Sequence, residues 1–293
     1  MADPRPPHPL RRALPLFLLA GFCLSTLDMT AKYLVRDHSL FLVVWARYVG
    51  QMIVVTPLAW HTAGPSFFRT RNLRMQLIRS GCLLAATALF FGALRYLPLA
   101  EGSAINFLAP MFAVVLATPI LGERATRGRI IASITGFLGI LILLRPGSSI
   151  FHPAAGLLII GALCNALYQV LTRKLPGDSV WTTLFYSALA GSIGLTALLP
   201  FGFIDEDISL RSALIIAMLG VLAGLGHLLL ISAFLQAPAS QLVPFTYLQM
   251  IWATFYSWIV FEHLPDGVSA IGMSVIVLSG VLLAIHERPR KLG

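Results

Sequence analysis

The chain has 293 residues, of which 57% are apolar and only 11% charged, with a mean hydropathy of +0.83. A water-facing surface uses roughly 25% charged residues, so a soluble enzyme, a nucleic-acid binder and a disordered regulator are excluded. The net charge of +9 lies between long apolar runs, a pattern of membrane topology and not of polyanion recognition.

A helix that crosses the hydrocarbon core needs about 20 mostly apolar residues. Ten runs meet that need: 13–35, 40–60, 77–95, 99–121, 130–145, 154–173, 180–201, 212–235, 239–262 and 268–286. Arg11 and Arg12 precede the first run as in a signal peptide. Leu19-Ala20-Gly21-Phe22-Cys23 misses a lipoprotein box by one residue, however, and the run continues through Asp28 and Lys32, so an uncleaved first span is expected. Gly21, Ser25, Asp28 and Lys32 form a polar stripe on it, with the acid and the lysine spaced i,i+4 so that their side chains can meet. Either the stripe lines a hydrated cavity and contacts a zwitterionic substrate, or the pair neutralises itself within the packing. In both readings Lys32 keeps Asp28 ionised.

In the second run Arg47 either snorkels outward or pairs with Glu101 or Asp28. The fourth run contains Asn106 and Pro110, whose missing N–H bends the helix as a hinge or as a static kink. Asn165 and Gln169 share an inward face of the sixth run. In the eighth, Gly220 and Gly224 make a small-xxx-small surface for close helix approach, and His227 follows as a structural or substrate-binding histidine. In the ninth, Phe245, Gln249, Trp252 and Tyr256 recur on one face. The smaller Asn106, Pro110, Ala113 and Ala117 occupy the matching face of the fourth. That contrast leaves room for a side chain as large as an indole, unless the aromatics only pack. Cys23, Cys82 and Cys164 lie inside apolar runs without metal-ligand spacing and read as structural thiols, so no metal or cofactor is expected.

Placing the N-terminus inside assigns fifteen Lys and Arg residues to the cytoplasm and four (Arg36, Arg95, Arg145, Arg211) to the other side. Both termini are therefore expected to be cytoplasmic, with Asp205-Glu206-Asp207 facing out. A shift of about 140 residues brings Gly21 onto Gly161, Ser25 onto Asn165 and Ser39 onto Ser179. A shift of 139 brings Ala100 onto Ala239, Met111 onto Met250 and Glu123 onto Glu262. Five helices per copy is an odd number, so the second copy enters the membrane inverted. The predicted fold is an all-α polytopic membrane protein of ten transmembrane helices, built as two inverted five-helix repeats over 1–149 and 150–293.

Five plus five helices with short loops, Leu121-Gly122-Glu123 before Gly128, the mid-helix Lys32, Arg47 and Pro110 together resemble the drug/metabolite transporter superfamily, in its EamA-type branch. In the second copy Phe261 replaces the glycine and Gln249 the proline, so the motif is degraded there. The nearest resemblance is to YddG-type exporters of aromatic and other amino acids. It implies a secondary transporter of the bacterial inner membrane that exports neutral amino acids by alternating access, as a monomer or as a homodimer through the fifth and tenth helices. Asp28, Lys32, Asn106, Asn165, Gln169, His227, Gln249, Trp252 and Tyr256 would bind substrate, and Pro110 would act as hinge. The alternative is a proton-coupled antiporter of cationic drugs or another metabolite, for which Glu101 is the loose carboxylate. No P-loop, filter-like loop or catalytic constellation favours a pump, a channel or an enzyme.

Overall fold

A computed structural model describes residues 9–122, 126–145, 152–175, 177–201, 208–237 and 242–286. Glu123, Ala239 and the acidic 205–207 loop lie outside the described residues. The chain runs through α1 (Pro9–Asp37), α2 (Leu40–Ala63), α3 (Leu73–Leu94), α4 (Leu99–Asn106), α5 (Leu108–Leu121), α6 (Arg127–Leu144) and α7 (Ala155–Arg173). It continues through α8 (Val180–Thr196), α9 (Leu210–Gln236), a 3₁₀ segment (Val243–Tyr247), α10 (Leu248–Phe261) and α11 (Gly267–His286). No strand occurs among the described residues. Among the described residues six stretches are long and apolar enough to cross a membrane: α1, α2 with its 3₁₀ extension, α3, α4 with α5, α7 and α9. The other four expected spans correspond to α6, α8, α10 and α11.

Local sequence sets where these helices start. Ser39 accepts a hydrogen bond from the Leu42 N–H, and Ser179 does the same for Thr182, so the two serines aligned in the internal repeat are both N-caps. Asn72 and Ser209 cap α3 and α9 in the same way. Two expected continuous helices are interrupted. The fourth span breaks at Phe107, and the ninth begins as a 3₁₀ turn with Pro244 near its start before α10 takes over at Leu248. The physical cause in the fourth is Pro110, which has no N–H for the Asn106 carbonyl and crowds the preceding turn.

α1 packs on α9 as α7 packs on α3, and α2 meets α9 as α8 meets α3. α1 meets α10 as α7 meets α4 and α5, while α2–α8, α4–α10 and α6–α11 pair directly. Two crossings are at backbone contact. A Cβ on Gly220 would lie 2.2 Å from Gly50 Cα, and one on Gly272 would lie 2.7 Å from the Gly139 carbonyl oxygen. Gly224 similarly receives Val54, so the small-residue surface on α9 is used against α2. α6 and α11, the fifth and tenth spans, use their glycine faces against each other. Large apolar side chains such as Ile53, Val115, Ile131, Ile193 and Ile251 point outward as a lipid-facing surface. The chain is a multi-pass membrane protein.

Polar ties close the bundle at both ends. At the start of α3 the fully buried Arg79 donates to Gln76 Oε1, Thr172 Oγ1, the Thr183 carbonyl and Ser187 Oγ, and lies over the Tyr168 ring. Asp178, in the α7–α8 connection, accepts from Thr70 Oγ1 at 2.5 Å, the Arg71 N–H at 3.1 Å and Gln76 Nε2 at 2.9 Å. Burial pushes its carboxyl upward, but these three hydrogen bonds outweigh it and hold Asp178 below the usual value of 3.8. At the opposite end, beyond α3, Glu101 meets His263 at 3.0 Å and Arg145 holds Asp266 with two bonds of 2.5 and 2.6 Å.

Two outcomes follow from this packing. Gly220→Val will lower the unfolding temperature in detergent or abolish monodisperse protein, since the crossing has no space for a side chain. Gly81→Ala, with nothing within 4 Å of the added methyl, will fold as the parent does. Because the Asp178 carboxyl is depressed in the folded state, its stabilisation is present above 3.8 and is lost as pH falls through the folded value. Asp178→Asn will therefore unfold at a lower temperature at pH 7, and the gap to the parent will narrow in thermal scans below about pH 4.

Candidate functional site

The two interrupted helices meet in the middle of the bundle. Phe107, at the first break, stacks on Tyr247, at the end of the second, with ring centroids 5.2 Å apart. The Tyr247 ring fits only because residue 280 is glycine: a Cβ there would sit 1.5 Å from the Tyr247 hydroxyl. Beside this stack lies a cavity of about 140 Å³. α1 contributes Ser25 and Asp28, α3 contributes Phe90, and α7 contributes Asn165 and Gln169. Ser103, Asn106, Phe107, Ala109 and Pro110 come from the α4–α5 span, and Thr246 and Gln249 from the 3₁₀–α10 span.

The lining is rich in amides and hydroxyls. Gln169 Nε2 lies 3.5 Å from Asn165 Oδ1, and Ser25 Oγ donates to the Gln249 carbonyl at 3.4 Å. Gly21 leaves space for the Gln249 side chain, whose Cγ would lie 3.3 Å from an added Cβ. Pro110 leaves the Asn106 carbonyl without its helical donor, so the broken span presents backbone as well as side-chain acceptors near the cavity. Asp28 has no ion pair within 4 Å among the described residues.

Six of the residues expected to bind or shape a site are therefore together: Asp28, Asn106, Pro110, Asn165, Gln169 and Gln249. Four are elsewhere. Lys32 does not pair with Asp28. Its ammonium donates to the carbonyls of Leu94 and Leu97 at 2.7 and 2.6 Å, at the end of α3, and also faces the Phe261 ring. The frayed end of a helix offers unpaired carbonyls, and two of them replace water around the buried ammonium. The self-neutralised pair, one of the two readings of the stripe, is absent, and with it the argument that Lys32 holds Asp28 ionised.

Trp252 and Tyr256 do not leave an indole-sized recess. Trp252 meets Phe22 edge-on at 5.1 Å, and the Tyr256 hydroxyl shares a 2.7 Å hydrogen bond with Thr26. Their stripe does face α1, but its aromatic part is consumed by packing there. His227 places Nδ1 2.9 Å from the Ala223 carbonyl, a hydrogen-bonded position within α9. In the second copy of the acidic motif Glu262 itself takes the left-handed conformation, at φ 54°, that Gly122 takes in the first.

Sequence reading missed Ser103, Thr246 and Phe90. Ser103 lies three residues before Asn106, and Thr246 three before Gln249, so each was accessible by extending the polar face one turn. Phe90 carries no such signal. No group of three or more metal-ligating side chains occurs among the described residues.

The sequence pattern of the EamA-like transporter family matches this chain twice, over residues 11–145 and 152–285. An S-adenosylmethionine uptake transporter of Rickettsia prowazekii is 26% identical over 282 residues, which cover 94% of this chain and 93% of that protein. A riboflavin transporter of Vibrio cholerae is 28% identical over 285 residues, 96% of this chain and 95% of the relative. One crystal structure superposes with a TM-score of 0.70 at 18% identity, covering 96% of this chain and 99% of its own, which fixes the fold alone. None of these relatives is named as an amino-acid exporter. The chain belongs to the EamA-like transporter family of the drug/metabolite transporter superfamily, and is a membrane transporter of small metabolites, not an enzyme.

Proposed function

We propose that this protein moves a compact metabolite with a cationic centre across the bacterial inner membrane by alternating access. The observation that carries this reading is Asp28: a carboxylate with no ion-pair partner among the described residues, in the wall of a cavity at the meeting point of two interrupted helices. A carboxylate so placed is costly unless a cation or water reaches it. The surrounding amides of Asn106, Asn165, Gln169 and Gln249 supply orientation without a second fixed charge. Interrupted helices at matching positions of two halves are where secondary transporters bind their substrates.

Alternating access here rests on two inverted halves, 1–149 and 150–293, with ten crossings and both termini in the cytoplasm. Exchanging the halves maps the main helix pairings onto one another, and it maps cavity residues onto cavity residues: Ser25 onto Asn165, Phe107 onto Thr246, Pro110 onto Gln249. The ties between connections agree with this topology, since Thr70 meets Asp178 on the side assigned to the cytoplasm and Arg145 meets Asp266 on the other. At about 140 Å³ the cavity is below the 300–1,000 Å³ range of drug-sized sites. A substrate as large as S-adenosylmethionine therefore needs one end to open around it.

S-adenosylmethionine, with its sulfonium and ammonium charges, is the first substrate to test. Amino-acid efflux is the second, although its aromatic recess is filled by packing. Proteoliposomes given labelled S-adenosylmethionine will show saturable uptake above empty vesicles. Asp28→Asn will reduce it at least about tenfold, the scale of one lost charge-assisted contact. Trp252→Ala will retain most of the uptake, because its ring lies against Phe22. No uptake by protein shown to be folded, with phenylalanine efflux also at background, rejects this reading.

A further inference from the structure

A second set of buried polar atoms lies on α2, outside the lining of the cavity. Arg47 is 4% exposed and Gln51 1%, one turn further along the same helix face. Arg47 Nη1 has no hydrogen-bond partner, and neither amide atom of Gln51 has one. The guanidinium lies over the Tyr48 ring, 4.5 Å from its centroid. It is close enough to act electrostatically on Asp28 of α1 and His227 of α9, yet its nitrogens stay more than 4 Å from the Asp28 carboxylate.

This is unlike the treatment of other buried cations in the chain. Arg79 is surrounded by acceptors on three helices, and Lys32 by two carbonyls. A buried guanidinium nitrogen without an acceptor loses its hydration for nothing in return. Its geometry, two parallel donors in a plane, matches a carboxylate. Gln51 adds an amide donor, and Asp28 is the acceptor on the cavity side.

We propose that Arg47 and Gln51 form a carboxylate subsite between α1, α2 and α9, so that Asp28 takes the ammonium of an α-amino-acid head group and Arg47 its carboxylate. The proposal rests on the transport reading above and narrows its substrate class from cations to zwitterions. It separates substrates that carry a free carboxylate from amines that lack one, whichever body they are attached to. His227, whose Nδ1 already meets the Ala223 carbonyl, is not needed as a ligand.

The test uses the full chain in proteoliposomes with labelled S-adenosylmethionine. Uptake is competed by the unlabelled compound or by its decarboxylated analogue, which keeps both the sulfonium and the amine. The parent will prefer the carboxylate-bearing competitor by about tenfold or more, the scale of a charge-assisted hydrogen-bonded pair. Arg47→Gln will lose that preference while its inhibition by the decarboxylated analogue persists, which also shows that the variant is folded. Gln51→Leu, which removes no charge, will reduce the preference in the same direction by a smaller factor. Equal competition by both compounds in the parent, or an unchanged preference in Arg47→Gln and Gln51→Leu, overturns the subsite and leaves the transport reading standing. Absence of uptake by the folded parent, with phenylalanine efflux also at background, overturns both.

Discussion

Hydrocarbon cannot hydrogen-bond, so every backbone N–H and C=O at membrane depth must find a partner within the protein. That constraint orders this structure. Intact helices can face lipid, as the outward Ile53 of α2, Ile131 of α6 and Ile193 of α8 show, but the breaks at Phe107 and across Val243–Tyr247 must themselves be enclosed. Enclosing two breaks at one place brings their acceptors and polar side chains together, and the amide-lined cavity is the result. The stack of Phe107 on Tyr247 fixes the two breaks against each other, and Gly280 makes the space for it. Glycine crossings at Gly50–Gly220 and Gly139–Gly272 then let the outer helices close tightly around the centre.

The same scarcity of partners separates supporting charges from working ones. Arg79 and Lys32 are buried and surrounded by acceptors, so each contributes to closing one end of the bundle at little net cost. Asp28, Arg47 and Gln51 are held in the interior without that satisfaction. Folding alone would favour apolar residues of similar volume at those positions. Unsatisfied groups that persist in the interior, one of them in the wall of a cavity, are better explained by what binds there than by what packs there.

Much of the frame was legible in the sequence because it follows from local rules. Span length, the Ser39 and Ser179 caps and the close approach at Gly220 and Gly224 all depend on a few neighbouring residues. So did the polar residues of α1, α4, α7 and α10 that reach the cavity. The failures share a cause. Lys32 is bound by backbone carbonyls of Leu94 and Leu97, and a carbonyl leaves no trace in residue identity. Trp252 and Tyr256 share a face with Gln249, but whether that face meets a void or a Phe22 ring depends on how α1 lies against α10. The break at Phe107 had a local signal in Pro110, whose effect falls on the preceding turn and not on the proline itself.

The ties at the two ends are unequal, and the inequality bears on how the bundle opens. Both ends join the first half of the chain to the second. At one, Arg79 is fully buried and bonded to Thr172, Thr183 and Ser187, with Asp178 adding three more contacts beside it. Parting the halves there strands a guanidinium among apolar helices unless water follows it in. At the other, His263 and Asp266, the second-half members of the contacts Glu101–His263 and Arg145–Asp266, are exposed, so water reaches one side of each contact. Water can replace those contacts as they separate. The end that carries Glu101 and Asp266 is therefore the cheaper to open from this conformation, and on the topology proposed above it is the side away from the cytoplasm.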